Sequence, residues 1–172
     1  QMIHEVMTYA VYNGGKRLRP ILVFEGAAIA GAELKKVIPA ACAMEMIHCY
    51  SLVHDDLPAM DDDDYRRGKL SCHKAFGEDM AILAGDALLT GAFELLATMP
   101  CQNDEDRIRL LQVIGEIASA AGSAGMVSGQ VLDLKSEGQN IDHAELQHLH
   151  ALKTGKLFLA SLRAGAILGG LE

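Results

Sequence analysis

The chain has 172 residues and a formal net charge of −8, so a nonspecific nucleic-acid binder is disfavoured, and any anionic ligand must be met by a local cluster of cations. Tryptophan is absent and other aromatics are few, while Ala, Leu, Met and Ile outweigh Val, Thr and Tyr, which predicts an all-α protein. The length suits a single domain with a sizeable core; apolar runs read as broken short of the roughly 20 residues a membrane helix needs, and no amino-terminal signal pattern is evident, so a cytoplasmic chain with no membrane contact is expected.

Glycines and prolines segment the chain. Gly14 and Gly15 end a first helix; Pro20 opens a second, to about Gly31; Pro39 suits the first turn of a third, which continues through "AACAMEMIHCYSLVH" until Pro58. A polar loop from about Asp61 to Gly77 follows. Helical spacing resumes in "EDMAILAGDALLTGAFELLA" and stops near Pro100. A long helix begins near Asp104, with Leu110, Ile114, Ile117 and Ala121 as one buried stripe. The last helix starts from Asp142 as N-cap, with Glu145 as capping-box partner and Ile141 and Leu146 as a hydrophobic staple, and runs on as one long apolar tail. Three glycines in "AAGSAGMVSG" suit close helix packing, or backbone that leaves room for an elongated ligand. The four cysteines, Cys42, Cys49, Cys72 and Cys101, form no CxxC pair. A zinc site of His48, Cys49, Cys72 and His73 is conceivable, but apolar neighbours favour buried thiols, with Cys42 and Cys49 both in the core.

The segment "HDDLPAMDDDDYRRG" concentrates acid and then closes with two arginines. In a straight helix Asp55 and Asp61 would lie about 240° apart and diverge. Pro58 disfavours helical geometry at Leu57, so the helix ends there and a turn brings Asp61 beside Asp55 and Asp56. Clustered carboxylates need a cation among them, and an open all-oxygen group suits magnesium shared with a phosphorylated ligand. Arg66 and Arg67 then serve as phosphate contacts. An EF-hand is excluded, because counting from Asp61 puts Arg66 at the glycine position and Cys72 at the terminal glutamate.

"GGKRLRP" places Lys16, Arg17 and Arg19 directly after paired glycines, where backbone can approach an anion. It is no nucleotide P-loop: Ala10 stands where a glycine is required and Arg17 where Ser or Thr is required. "ALKTGK" fails likewise, with His150 and Leu157 at those positions. His48 precedes Asp55 by two helical turns on the same face, so its imidazole can border the same cavity.

Taken together, "GGKRLRP", "EMIHCYSLVHDDLPAMDDDDYRRGK", "HKAFGEDMAILAGDALL", "GMVSGQVLDL" and "LKTGKL" resemble the trans-prenyltransferases, or polyprenyl diphosphate synthases, across essentially the whole chain. The resemblance is greatest to the bacterial farnesyl diphosphate synthases, with the plant-type geranylgeranyl enzymes close behind. It implies an isoprenoid-synthase-type helical bundle with a central cavity. It also implies magnesium-dependent head-to-tail condensation of isopentenyl diphosphate with dimethylallyl or geranyl diphosphate, and a homodimer as partner arrangement.

By position, Asp55, Asp56 and Asp61 match the first aspartate-rich motif and would hold Mg2+ on the allylic diphosphate, which Arg66 would also contact. Gly15, Lys16, Arg19, His48 and Arg67 match positions that bind isopentenyl diphosphate. Lys153 and Thr154 match the site facing the departing diphosphate, and Gln130 and Asp133 a polar pair lining the cavity. Tyr50, five residues before Asp55, and its neighbour Ser51 match the positions that limit product length, farnesyl being the expected product. The family's second aspartate-rich motif is not found, so residues 1–172 are expected to form a partial domain lacking carboxyl-terminal helices and inactive alone, or a noncatalytic regulatory subunit. A rival reading, the HD-domain phosphohydrolases, would need His54 as a metal ligand with help from His4, His143, His148 or His150, and leaves "GGKRLRP" unexplained.

Overall fold

A computed structural model describes residues 1–171 and is built almost wholly from helices. They are α1 (Met2–Val11), α2 (Leu18–Ile29), α3 (Ile38–Asp55), α4 (Cys72–Phe76), α5 (Glu78–Ala97), α6 (Asp104–Ala121), α7 (Met126–Ser136), α8 (His143–His150) and α9 (Lys156–Gly169). A 3₁₀ turn, Leu34–Val37, precedes α3, and a π turn, Ala151–Gly155, joins α8 to α9. The chain divides into two compact units: residues Gln1–Arg17 with Cys42–Leu95, and residues Leu18–Ala41 with 96–171.

In the first unit Val6, Met44, Ile47, Ala81, Ala84 and Leu88 are shut off from solvent and form the core. Tyr9 ties α1 to the segment after the acidic loop: its ring meets Phe76 edge to face at 5.1 Å, and its hydroxyl donates to the Leu70 carbonyl at 2.7 Å. The expected stop before Pro58 is present. Helix α3 ends at Asp55, and the Asp61 N–H donates back to the Asp55 carbonyl at 2.9 Å.

Residues 61–77, expected as loop, contain more structure than that. Tyr65–Arg66 and Lys69–Leu70 pair as a short antiparallel hairpin, β1 and β2, followed by α4. The hairpin turns on Arg67 and Gly68, both at positive φ (55° and 81°), which matches the twist of two-residue hairpin turns. Its strands are too short and too charged to show an alternating apolar pattern.

The second unit is organised by close approach of α2 and α9. A Cβ added at Gly26 would lie well inside 3.0 Å of the Leu162 carbonyl oxygen, and one at Gly165 equally near that of Val23. Val23, Ala27, Val113, Ile117, Leu157 and Ala164 fill the space around them. Of the stripe expected on α6, Leu110, Ile117 and Ala121 are buried and Ile114 half-buried, with Val113 and Ala120 buried beside them. Helix α8 carries the complete capping box, Glu145 N–H to Asp142 Oδ1 at 2.8 Å and Asp142 N–H to Glu145 Oε2 at 3.0 Å. The single long last helix, however, is interrupted: the Lys156 N–H donates to the Ala151 carbonyl, five residues back, so the backbone widens at Ala151–Gly155.

Two other expectations are corrected. Leu34–Asp55, Glu78–Ala97 and Asp104–Ser136 are long and apolar enough to cross a membrane by length and composition, so apolar runs do not stop short of that length. Part of that apolarity lies in the core, where Ala43, Met44, Ile47, Ala84, Leu88, Val113 and Ile117 are buried, and part is exposed, as at Ile82, Leu83, Ile108 and Leu111. Cys42, expected in the core with Cys49, is exposed, because Ala40, Ala41, Ala43 and Met44 occupy the buried faces of that turn. Cys49 and Cys72 are buried, and burial pushes each thiol up to about 11.

Arg163 grips Glu116 with two hydrogen bonds, Nε to Oε2 at 2.7 Å and Nη2 to Oε1 at 2.6 Å, linking α9 to α6. Those bonds hold the Glu116 carboxyl below its ordinary 4.5, against a smaller upward push from burial. A carboxyl lowered in the folded state stabilises it above the unfolded value and loses that contribution as pH falls through the folded value. Urea unfolding midpoints of the complete protein and its Glu116→Gln variant are therefore expected to differ at pH 7 and to draw together as pH falls through the lowered folded value. A gap that does not narrow as pH falls below 4.5 would refute the assignment.

Candidate active site

In the first unit the acidic turn presents its carboxylates unequally. Asp55 closes α3 and is half-buried, and Asp61 is exposed, the two joined through the Asp61 N–H to Asp55 carbonyl bond. Asp56 differs. It is only 2% exposed, and its Oδ1 accepts from Arg66 Nε at 2.9 Å and from Arg66 Nη2. Burial pushes the Asp56 carboxyl up, and Arg66 opposes it. Arg66 also reaches Asp63 at 3.2 Å. Asp56 as a metal ligand and Arg66 as a phosphate contact are thus residues that here satisfy each other, because the hairpin folds Arg66 back over the end of α3. Asp55 and Asp61 keep an all-oxygen donor set that fits a hard cation retaining several waters.

A basic group lies in the same unit. Arg67, at positive φ on the hairpin turn, donates Nη1 to the Gly14 carbonyl, and its Nη2 lies 3.4 Å from His48 Nε2. Gly15 (φ 118°) is required twice over, by its dihedral and because Arg67's guanidinium fills the space a Cβ would need. Lys16 is exposed beside it. The structure therefore brings together Gly15, Lys16, His48 and Arg67. Arg19 lies in the second unit, its guanidinium 4.8 Å over the Phe158 ring.

Tyr50 is buried on α3, its ring edge-on to that of His54 at 5.8 Å, and Ser51 donates its hydroxyl to the His48 carbonyl at 2.8 Å. His54, a ligand in the rival reading, instead meets the Ile82 carbonyl at 3.1 Å and packs where a side chain on Gly85 would stand. The imagined zinc quartet does not assemble among the described residues. The grouping that does is Asp62, Asp64 and His73, whose ligand atoms lie within 4.8 Å of one another, and there Lys74 already faces Asp64 at 2.8 Å.

In the second unit Lys153 and Thr154 sit on the π turn, a backbone form frequent at functional sites. Lys153 Nζ pairs with Asp133 Oδ2 at 2.5 Å. Gly129 makes this possible, since a Cβ there would strike the Lys153 backbone, so α7 approaches the π turn closely. The glycine is a packing residue, and no room is left at that point for a ligand. Gln130 follows it, its amide Nε2 buried without a hydrogen-bond partner among the described residues.

Sequence reasoning missed Glu45, a buried acid that accepts a hydrogen bond from Arg17. The signal was available, since a lone charge inside the apolar run "AACAMEMIHCY" must find a partner.

The chain is all-helical, and its first unit carries an exposed carboxylate turn and a cation cluster over paired glycines. The chain belongs to the polyprenyl synthetase family, whose model matches residues 1–172. It is 50% identical over 171 residues to the large subunit 1 of a heterodimeric chloroplastic geranylgeranyl pyrophosphate synthase from Arabidopsis thaliana, covering 98% of this chain and 46% of that protein. It is 51% identical over 168 residues to farnesyl diphosphate synthase of Escherichia coli, covering 96% of this chain and 55% of that protein. Among solved structures, a geranyltransferase from Legionella pneumophila superposes with a TM-score of 0.91 at 42% identity, over 99% of this chain and 59% of that one. The chain spans about half the length of the curated relatives it matches.

Proposed function

We propose that the complete protein is a prenyl diphosphate synthase that makes farnesyl diphosphate, and that residues 1–172 are part of one synthase domain. The observation that carries this reading is the division of charge within the first unit: acid at Asp55 and Asp61, cations at Lys16, His48 and Arg67. Two diphosphates in one acidic protein demand two separate sources of positive charge.

In the reaction the allylic C–O bond breaks and diphosphate departs. The isopentenyl double bond attacks the allylic cation to form the new C–C bond, and a proton is then lost from the isopentenyl unit. Asp55 and Asp61 would hold magnesium, which supplies stabilisation of the charge gathering on the leaving diphosphate. Asp56 acts through Arg66, fixing the guanidinium that faces the allylic diphosphate. Within the first unit Gly15, Lys16, His48 and Arg67 take the isopentenyl diphosphate. The family resemblance carries over Arg19, Lys153 and Thr154 as further diphosphate contacts and Gln130 and Asp133 as a polar pair, all residues of the second unit. A soluble, cytoplasmic homodimer suits this reading.

Tyr50 supports farnesyl over geranylgeranyl as product, since a buried aromatic ring five residues before Asp55 can block further growth, with Ser51 beside it. The test is chromatography of products formed by the complete protein from radiolabelled isopentenyl diphosphate and dimethylallyl diphosphate. A fifteen-carbon product that disappears with EDTA is expected. A twenty-carbon product would support the geranylgeranyl reading, and no condensation product would overturn both. Tyr50→Ala should lengthen the product by at least one isoprene unit; an unchanged length would remove Tyr50 from this role.

A further inference from the structure

Arg17 is one of three non-glycine residues at positive φ among the described residues, at 52°. Such a conformation is unfavourable for a residue with a side chain and persists only where surrounding contacts over-determine it. The contacts are present. Arg17 Nη1 donates to Glu45 Oε1, and Nη2 donates to the Val11 carbonyl at 2.5 Å, at the end of α1 where helix carbonyls lack backbone partners. One side chain thus fastens the Gly14–Arg17 loop to both α1 and α3.

Glu45 is a costly partner to retain. It is 6% exposed, its Oε1 is approached by Arg17 and, at 3.9 Å, by the Cys49 thiol, and its Oε2 is buried without a hydrogen bond among the described residues. A buried carboxylate with an orphaned oxygen, paired to an arginine that is only half-buried, is a poor device for stability alone. Its position suggests another use. Glu45 lies three residues before His48, on the same side of α3. The loop that Arg17 pins supplies the Gly14 carbonyl on which Arg67 rests, and Arg67 borders His48 at 3.4 Å. From Glu45 the contacts run through Arg17 and the glycine loop to Arg67 and His48. Because Glu45 neutralises Arg17 inside the unit, Lys16, next in the chain and exposed, is left to face an anion.

We propose that Glu45 and Arg17 are positioning residues for one of the two substrates, the isopentenyl diphosphate: they hold the strained Gly14–Arg17 loop so that Lys16, His48 and Arg67 converge on that diphosphate, and they do not touch it. The inference rests on the synthase reading above and adds to it a pair whose effect must be one-sided.

Steady-state kinetics of the complete protein, varying each substrate at saturating levels of the other, test this. Glu45→Gln keeps the size of the side chain but removes the charge. It is expected to raise KM for isopentenyl diphosphate by about 10–100-fold, the range for a lost charge-assisted bond, with KM for the allylic diphosphate and kcat within about threefold. Arg17→Lys, which keeps the charge and loses the two-point fork, should give the same one-sided rise, and it decides the matter if Glu45→Gln fails to fold. The double variant should be no worse than the weaker single one, because both break one contact. An unchanged KM, or both KM values rising together, would overturn the positioning role. Absence of any product from the unsubstituted protein would instead overturn the synthase reading, and this inference with it.

Discussion

Replacing Asp55 or Asp61 by asparagine in the complete protein is expected to lower kcat for condensation by about 10²–10³-fold, comparable to removing one group that stabilises charge in a transition state, and to raise the Mg2+ concentration needed for half-maximal rate. Each substitution exchanges an anionic oxygen on the acidic turn for a neutral amide, a much weaker donor for a hard cation. Asp56→Asn should behave differently. Its Oδ1 is occupied by Arg66 and its side chain is buried, so the substitution weakens a charge-assisted contact worth about 1.5–3 kcal/mol. Arg66 is left mainly with Asp63, at 3.2 Å. The variant should therefore lose stability in urea unfolding and lose affinity for the allylic diphosphate while its Mg2+ requirement stays near that of the unsubstituted protein. The experiment is a magnesium titration of rate for all three variants beside their unfolding curves. Equal shifts in Mg2+ requirement for Asp56→Asn and Asp61→Asn would make Asp56 a ligand after all.

The second large effect concerns stability. Gly165→Ala should destabilise the complete protein by about 3 kcal/mol, at the upper end of ordinary overpacking. The added methyl would meet the Val23 carbonyl oxygen and the Ala27 backbone nitrogen, and backbone cannot swing aside as a flexible side chain can. Gly115→Ala on α6 is the matched control. Nothing lies within 4 Å of its added Cβ and it does not hold a positive φ, so better helix propensity should stabilise by about 0.5–1 kcal/mol. Denaturant unfolding of both variants distinguishes packing from propensity; a Gly165→Ala curve that moves with that of Gly115→Ala would mean that α2 and α9 can separate at little cost.

Much of this molecule was legible in its residues because the signals act over one or two helical turns. The proline at 58 stops α3 by sterics within its own neighbourhood, and the Asp61 to Asp55 bond closes as that stop requires. The Asp142 and Glu145 box caps α8 within four residues. The acid of "HDDLPAMDDDDYRRG" and the base of "GGKRLRP" are likewise visible in the residues, and Asp61 and Lys16 both lie exposed in the first unit.

Other features depend on which distant segments meet, and local pattern does not contain that. Asp56 and Asp61 look equivalent in sequence, yet the hairpin lays Arg66 over one and leaves the other in solvent. Gly129 and Gly165 look like weak points in helices until α7 is seen against the π turn and α9 against α2. The sequence by itself therefore determined the all-α class, the stop of α3, the cap of α8 and the kinds of charge available, since each follows from short-range sterics and residue chemistry. Only the tertiary structure decided which charges cancel one another and which stay open to a ligand, because burial and pairing are set by contacts between residues as far apart in the chain as Arg17 and Glu45.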